Sequence, residues 1–168
     1  MITENALKSY FENLATKHAT LQHSPENPSF FYIDNPYELT AIDAALRNMT
    51  AEIALLVDTP ERNLDDNLSN NYVESINIQF TILKKENDST LLLEARDAVL
   101  PVINDFLVKI RQNASDGSLL GSSLNRMRIT NVKIDPVGPM NLEWYGYTVI
   151  ITVACPLALN RNDAIWLP

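Results

Sequence analysis

The sequence predicts an α+β fold built around a mostly antiparallel sheet. Apolar residues recur at helical spacing in three segments, whereas in five others they alternate or run together over the length of a strand. The segments follow one another as a helix, then strand–helix–strand twice, and then a last strand. The middle six have the order βαββαβ of a ferredoxin-like sheet, so we expect helices mainly on one face, plus one carboxyl-terminal strand and an amino-terminal helix.

The first helix is predicted from its cap and its apolar stripe. Thr3 is a residue type that caps helices by accepting a backbone N–H. The stripe is formed by Leu7, Tyr10, Phe11, Leu14, His18 and Leu21. We expect His18 to be partly buried and hydrogen-bonded, because no second metal ligand is spaced to help it.

A strand–helix–strand unit is predicted next. The run "SFFYID" at 29–34 is short and rich in residues that favour strands. Asn35 and Pro36 then predict the start of a helix that extends to about Asn48. The segment "AEIALLV" at 51–57 is almost continuously apolar, which predicts a strand at the centre of its sheet.

The segment "DTPERNLDDNLSNN" at 58–71 is polar and predicts a long loop. Its acidic residues are Asp58, Glu61, Asp65 and Asp66. Clustered carboxylates are typical of calcium or magnesium sites, but the spacing and the glycine of an EF-hand are missing. We therefore expect Asp65, Asp66 and Asn67 to face solvent or a neighbouring subunit.

The second strand–helix–strand unit begins with "SINIQFTIL" at 75–83, whose alternation predicts a strand with one buried and one wet or contact-making face. The longest helix follows, capped by Asp88 or Ser89. Its stripe contains Leu92, Ala95, Val99, Val102, Ile103, Phe106 and Ile110. A second long loop is predicted over 112–125, in which Leu119 and Leu120 have no local apolar partner.

The last two strands are predicted over 126–135 and 144–155. The apolar phase of the first changes after Ile129, which predicts a bulge near Thr130 or Asn131. The second, "WYGYTVIITVACP", has apolar residues on both faces. With helices on one side of the sheet, its second face should meet another part of the chain or another subunit.

Candidate contact residues follow from this requirement. Tyr145 and Tyr147 lie on the last strand, and Trp166 lies in an apolar tail over 157–168. Together with Leu119 and Leu120, they are the side chains that we expect to meet a neighbour or to cover the sheet.

Composition limits the function classes. With 168 residues the chain has the length of a single α+β domain over 1–168, and its net charge of −8 argues against a nucleic-acid footprint. Its one cysteine, Cys155, is expected to be buried and inert. The amino terminus does not resemble a signal peptide and no run has the length of a membrane span, so we expect a cytosol-like compartment and no membrane partner.

Enzyme chemistry has little support in the sequence. There are two histidines and no glycine-rich phosphate loop, so we expect no catalytic residues, no metal and no cofactor. An RNA-recognition module would need aromatic and basic strands that are missing here. A small-molecule-binding or regulatory ferredoxin-like domain, monomeric or dimeric, stays open, since its pocket leaves no short motif.

One family resemblance is present. The segment "YVESINIQFTILKKENDSTLLLEARDAVLPVINDFLVKI" and the later "LEWYGYTVIITVACP" resemble the tail-terminator and neck-type minor tail proteins of long-tailed bacteriophages and prophages. In that family an alternating strand leads through a charged turn into a long helix, and an aromatic–glycine strand returns through the sheet. The resemblance covers about residues 72–156.

The resemblance implies a non-enzymatic structural subunit. Such a protein forms a homo-oligomeric ring, possibly a hexamer, that closes the tail tube and contacts other tail or neck proteins. It implies assembly in the host cytoplasm followed by residence in the virion tail, and no sequence-specific binding of nucleic acid. The long 58–71 segment and the extra strand–helix unit depart from the pattern, so ring size and position in the tail stay open.

Overall fold

The computed structural model describes residues 3–35, 39–66, 72–117 and 128–157. Within these ranges the chain is an α+β fold of three helices and a mixed six-stranded sheet. The elements are α1 (Glu4–Lys17), β1 (Phe30–Ile33), α2 (Leu39–Asn48), β2 (Ile53–Asp58), β3 (Glu61–Asp66), β4 (Tyr72–Lys85), α3 (Leu92–Ser115), β5 (Arg128–Met140) and β6 (Trp144–Leu157).

Local signals place the helix ends and one bulge where the sequence predicts them. The Thr3 side chain accepts a hydrogen bond from the backbone N–H of Ala6 at 3.2 Å, which caps α1. Asp88 accepts from the N–H of Thr90 at 2.9 Å and caps the 3-10 turn that leads into α3. The register of β5 against β6 shifts between Ile129 and Asn131, which confirms the predicted bulge.

The ferredoxin-like strand order is wrong. The sheet runs β1-β2-β4-β6-β5, with β3 beside β4. In a split βαβ sheet another strand separates the two parallel strands, but here β1 and β2 pair directly in parallel. The reason is β6, which pairs with β4 over 14 residues from Tyr72↔Leu157 to Lys85↔Trp144 and leaves no place there for β1.

The prediction that the helices over 36–48 and 90–112 share one face of the sheet is also wrong. Alternate residues of β2 point to opposite sides: Leu55 and Val57 join the cluster that contains α1 and α3. Ala54 and Leu56 join a second cluster that contains Ile42 and Leu46 of α2. The continuous apolar run in β2 is buried on both faces because helices cover both faces there.

The predicted loop over 58–71 is wrong for residues 61–66, which form β3. The register passes from Val57↔Phe80 to Glu61↔Asn77, so three residues around Pro60 stand opposite two of β4. β2 and β3 are therefore one long strand interrupted by a bulge. Five of the six residues of β3 are polar, Leu64 being the exception. The strand forms because the backbone of β4 extends past β2 and offers hydrogen bonds.

The main core lies between the sheet and the helices α1 and α3. At its centre the rings of Phe11, Phe80 and Phe106 form a triangle with centroids 5.4 Å (Phe11–Phe80), 5.9 Å (Phe80–Phe106) and 6.4 Å (Phe11–Phe106) apart. All three residues are at most 2% exposed. One aromatic residue from each of α1, β4 and α3 thus fixes the two helices on the same face.

Gly146 allows β6 to lie close to β4. A Cβ at this position would overlap the backbone carbonyl oxygen of Ile82, and backbone cannot turn away as a side chain does. We expect Gly146→Ala to lower the free energy of unfolding by about 3 kcal/mol or more, the upper part of the range for overpacking. Urea denaturation measures this.

Thr152→Ala, on the same strand and face, is the control for this substitution. It removes a hydroxyl that donates to Asn77 Oδ1 at 2.9 Å and should cost only about 1 kcal/mol. A Gly146→Ala variant as stable as Thr152→Ala would show that the two strands have room to separate.

Candidate interaction surface

The sheet side opposite α1 and α3 is covered at one end only. Trp144 and Leu83 are fully buried there in the cluster that contains α2. Beyond this end the face is polar and half-buried or exposed, and we call this part the open face. Its residues are Glu61, Asn63, Asp65, Ser75, Asn77, Gln79, Thr148, Ile150, Thr152, Asn131, Lys133 and Asp135.

Side-chain hydrogen bonds cross the open face from strand to strand. Thr81 and Thr148, on β4 and β6, join their hydroxyls at 2.8 Å. Four residues further along the same strands, Thr152 Oγ1 donates to Asn77 Oδ1 at 2.9 Å. Thr130 Oγ1 reaches from β5 to the carbonyl of Thr152 at 3.2 Å. These three hydrogen bonds tie β4, β6 and β5 together across the open face, which is a surface rather than a pocket.

Asp58 lies at the border between the open face and the α2-covered end. Gln79 Nε2 donates to Asp58 Oδ2. Burial raises the pKa of the Asp58 carboxyl, and the hydrogen bond from Gln79 lowers it by less. A single carboxyl with an amide partner can orient a side chain, but by itself it supplies no acid–base pair.

The acidic candidates lie at the outer edge of the open face. Asp65, on β3, is exposed. Its pairing with Val73 in the β3–β4 register places it on the open face. Asp66 is the last residue of β3. Asn67, Leu119, Leu120 and Trp166 lie outside the described residues. Of these six candidates, Asp65 is the one whose side chain lies among the described residues.

The two tyrosines point to the other side of the sheet. Tyr145 is 4% exposed and donates its hydroxyl to the carbonyl oxygen of Leu142 at 3.4 Å. Tyr147 is partly buried and packs against the main core. Both side chains therefore contribute to packing within the chain.

The sequence did not point to an ion pair beneath β3. Glu74 is 5% exposed and accepts from Arg62 Nη1 at 2.8 Å across the β3–β4 pair. The signal that could have found it is the strand phase, since Glu74 precedes Ile76, Ile78 and Phe80 on the buried face of β4. A carboxylate at a buried strand position requires a cation or a donor nearby.

A groove runs between α3 and the free side of β5. Its volume is about 620 Å³, and its apolar wall includes Leu107, Val108, Ile129 and Val132, with Arg111 and Arg128 at its border. Val108 and Val132 are 47% and 41% exposed. The groove has the size of ligand sites in general, but its described lining contains no carboxylate, cysteine or histidine that could activate the hydroxyl of Ser115.

Across the ranges that the structure describes, no three His, Cys, Asp or Glu residues come together as metal ligands. Cys155 is buried on the core side of β6, and burial raises the pKa of its thiol. None of the described helices is long and apolar enough to cross a membrane. No family model and no curated protein matches the chain.

The Arg62–Glu74 pair stabilises the β3–β4 hairpin. We expect Arg62→Met to lower the free energy of unfolding by about 2–3 kcal/mol, because it leaves a buried carboxylate without its cation. The loss should be smaller than the ~3–5 kcal/mol typical of breaking a fully buried ion pair, because Arg62 is partly exposed. The double variant Arg62→Met with Glu74→Leu should recover most of the loss. A single variant as stable as the double one, by urea denaturation, would contradict this role.

Asp58 makes stability depend on pH. Since the folded-state pKa is raised, folding favours the protonated form, and that contribution is lost as the pH rises from the ordinary aspartate range through the folded pKa. We expect Asp58→Asn, which keeps an acceptor for Gln79, to gain stability relative to the wild type as the pH rises from 3 to 7. Glu61→Gln, an exposed neighbour, is the control. Urea midpoints that move in parallel for both variants would contradict the prediction.

Proposed function

We propose that the chain is a non-enzymatic structural subunit of a phage or prophage tail, most simply a ring-forming tail terminator or head–tail joining protein. The observation that carries the proposal is the sheet, which α1 and α3 cover on one side and which presents the open face beyond α2 on the other. Solitary antiparallel sheets can also leave one face to solvent, but in an assembly such a face is available for neighbours or for the wall of a channel.

The family resemblance supplies the second support. The segments that carry it form β4, α3 and β6. β4 and β6 are neighbours at the centre of the sheet, and α3 packs on both of them. This is the strand–helix–returning strand arrangement that the resemblance implies over residues 72–156.

Charge is compatible with a channel for DNA. The net charge of −8 and pI of about 4.7 mean that the subunit as a whole repels phosphates. A channel through which DNA passes must not bind it, so an acidic or neutral wall serves this purpose. On this proposal the partners are further copies of the chain and other tail or neck proteins, assembled in the host cytoplasm and then present in the virion.

Mass in solution tests the proposal. We expect sedimentation velocity and native mass spectrometry of the full chain to show a closed oligomer whose fraction rises with concentration, and negative-stain images to show rings with a central hole. The same preparation after dilution is the control, because the ring should dissociate. A chain that stays monomeric when concentrated and does not bind purified tail tubes would overturn the proposal.

The α3–β5 groove favours one alternative, a small-molecule-binding or regulatory domain. Its volume of about 620 Å³ lies within the range of ligand sites, and the two arginines at its border would suit an amphipathic anion. A metabolite that raises the melting temperature of the monomer, and that loses this effect in Val132→Asp, would favour the alternative.

A further inference from the structure

We propose that β3 of one copy pairs with β5 of the next copy, so that the sheet continues from subunit to subunit. The inference rests on the proposed function in one respect, namely that the partner is a second copy of the chain. It names the surface that the assembly uses and the direction in which it grows.

Both strands have a free side. β3 pairs with β4 along one side, and β5 pairs with β6 along one side; no other described strand pairs with either of them. Proline limits what is available, because it cannot donate to a ladder. Pro60 precedes β3, and Pro136 and Pro139 occupy the far half of β5. The stretches left for pairing are 61–66 and 128–135.

The strand directions agree with a continuous sheet. β3 is antiparallel to β4, β4 to β6, and β6 to β5, so β3 and β5 run in opposite directions within one subunit. Placing the β3 of one copy beside the β5 of another therefore extends the antiparallel alternation without turning either copy over. The contact is head-to-tail, and such a contact generates a ring when the rotation between copies closes.

Apolar side chains match on the helix-covered side. Leu64 of β3 is 52% exposed. Val132 and Ile134 of β5 are each 41% exposed and point to the same side of the sheet as Leu64. Pairing of the two edges would cover all three side chains at once.

Charges match on the open face. β3 presents Glu61 and Asp65, whereas the stretch of β5 that is left for pairing presents Arg128, Lys133 and Asp135, so the first edge is negative and the second keeps a positive excess. Lys133 Nζ lies 2.5 Å from Asp135 Oδ2 of its own strand. Among the described residues, Glu61, Asp65 and Arg128 form no ion pair. Two β3 edges would repel each other because both are negative, and two β5 edges would repel each other because both are positive. Pairing of β3 with β5 is therefore favoured.

Charge reversal tests the pairing. One variant carries Glu61→Lys and Asp65→Lys, and the other carries Arg128→Glu and Lys133→Glu. Each alone should raise the dissociation constant of self-association by more than about a hundred-fold, because like charges then meet at every contact. Mixing the two variants should restore association, since the reversed β3 fits the reversed β5 and the two unchanged edges fit each other. Native mass spectrometry should show equal numbers of the two chains in the restored oligomer.

One control variant and the mixture itself make the test decisive. Glu26→Lys with Asp97→Lys changes the charge equally at exposed sites away from both edges and should associate like the wild type. Restored association in the mixture also shows that both variants are folded. Persistent self-association of either variant alone, or failure of the mixture to associate, overturns the β3–β5 pairing.

The outcomes separate this inference from the proposed function. If the wild type forms a ring and neither charge reversal weakens it, the proposal of a tail subunit stands and the edge pairing is overturned. A chain that is monomeric at every concentration, yet binds tail tubes, gives the same result. If mixing the two variants restores association but the chain never binds tail tubes, the edge pairing is supported and the tail assignment is overturned.

Discussion

The fold depends on the pairing of β4 with β6. These two strands share an unbroken ladder of 14 residue pairs, and the other strands attach to its two outer sides, with β1 joined through β2. β2 and β3 divide the outer side of β4 between them, and β5 takes the outer side of β6. The ladder can be so close because Gly146 has no side chain where it meets the backbone of Ile82.

The two faces of this ribbon follow from the period of a strand. Alternate positions of β4 carry Ile76, Ile78, Phe80 and Ile82, all at most 2% exposed, and the positions between them carry polar groups. In β6 the same alternation places threonines opposite asparagine and threonine of β4. Hydrophobic packing therefore holds one face and hydrogen bonds order the other, so the molecule is asymmetric across its own sheet.

Local signals in the sequence predicted local structure well. The Thr3 cap, the stripe of α3 and the bulge after Ile129 depend on neighbours along the chain. β3 could not be predicted in this way, because its residues are mostly polar and its partner is the backbone of β4. Strand order is non-local for the same reason. The alternation of residues in β6 placed Tyr145 and Tyr147 on one face but could not show which element covers that face. Asp65 was predicted to lie on the surface because a charged residue in a polar run is rarely buried.

The central position of β6 has a consequence for synthesis on the ribosome. β4 leaves the ribosome well before β6, since α3 and β5 lie between them in the chain. During that interval β2 and β3 can already pair with one side of β4, but the side that later meets β6 has no strand partner along its full length. An unpaired strand side next to an apolar face is the combination that promotes aggregation of nascent chains. α3 follows β4 directly and packs on it, so it can shield the apolar face first. Because α3 is synthesised before β6, it can cover the apolar face of β4 before β4 pairs with β6.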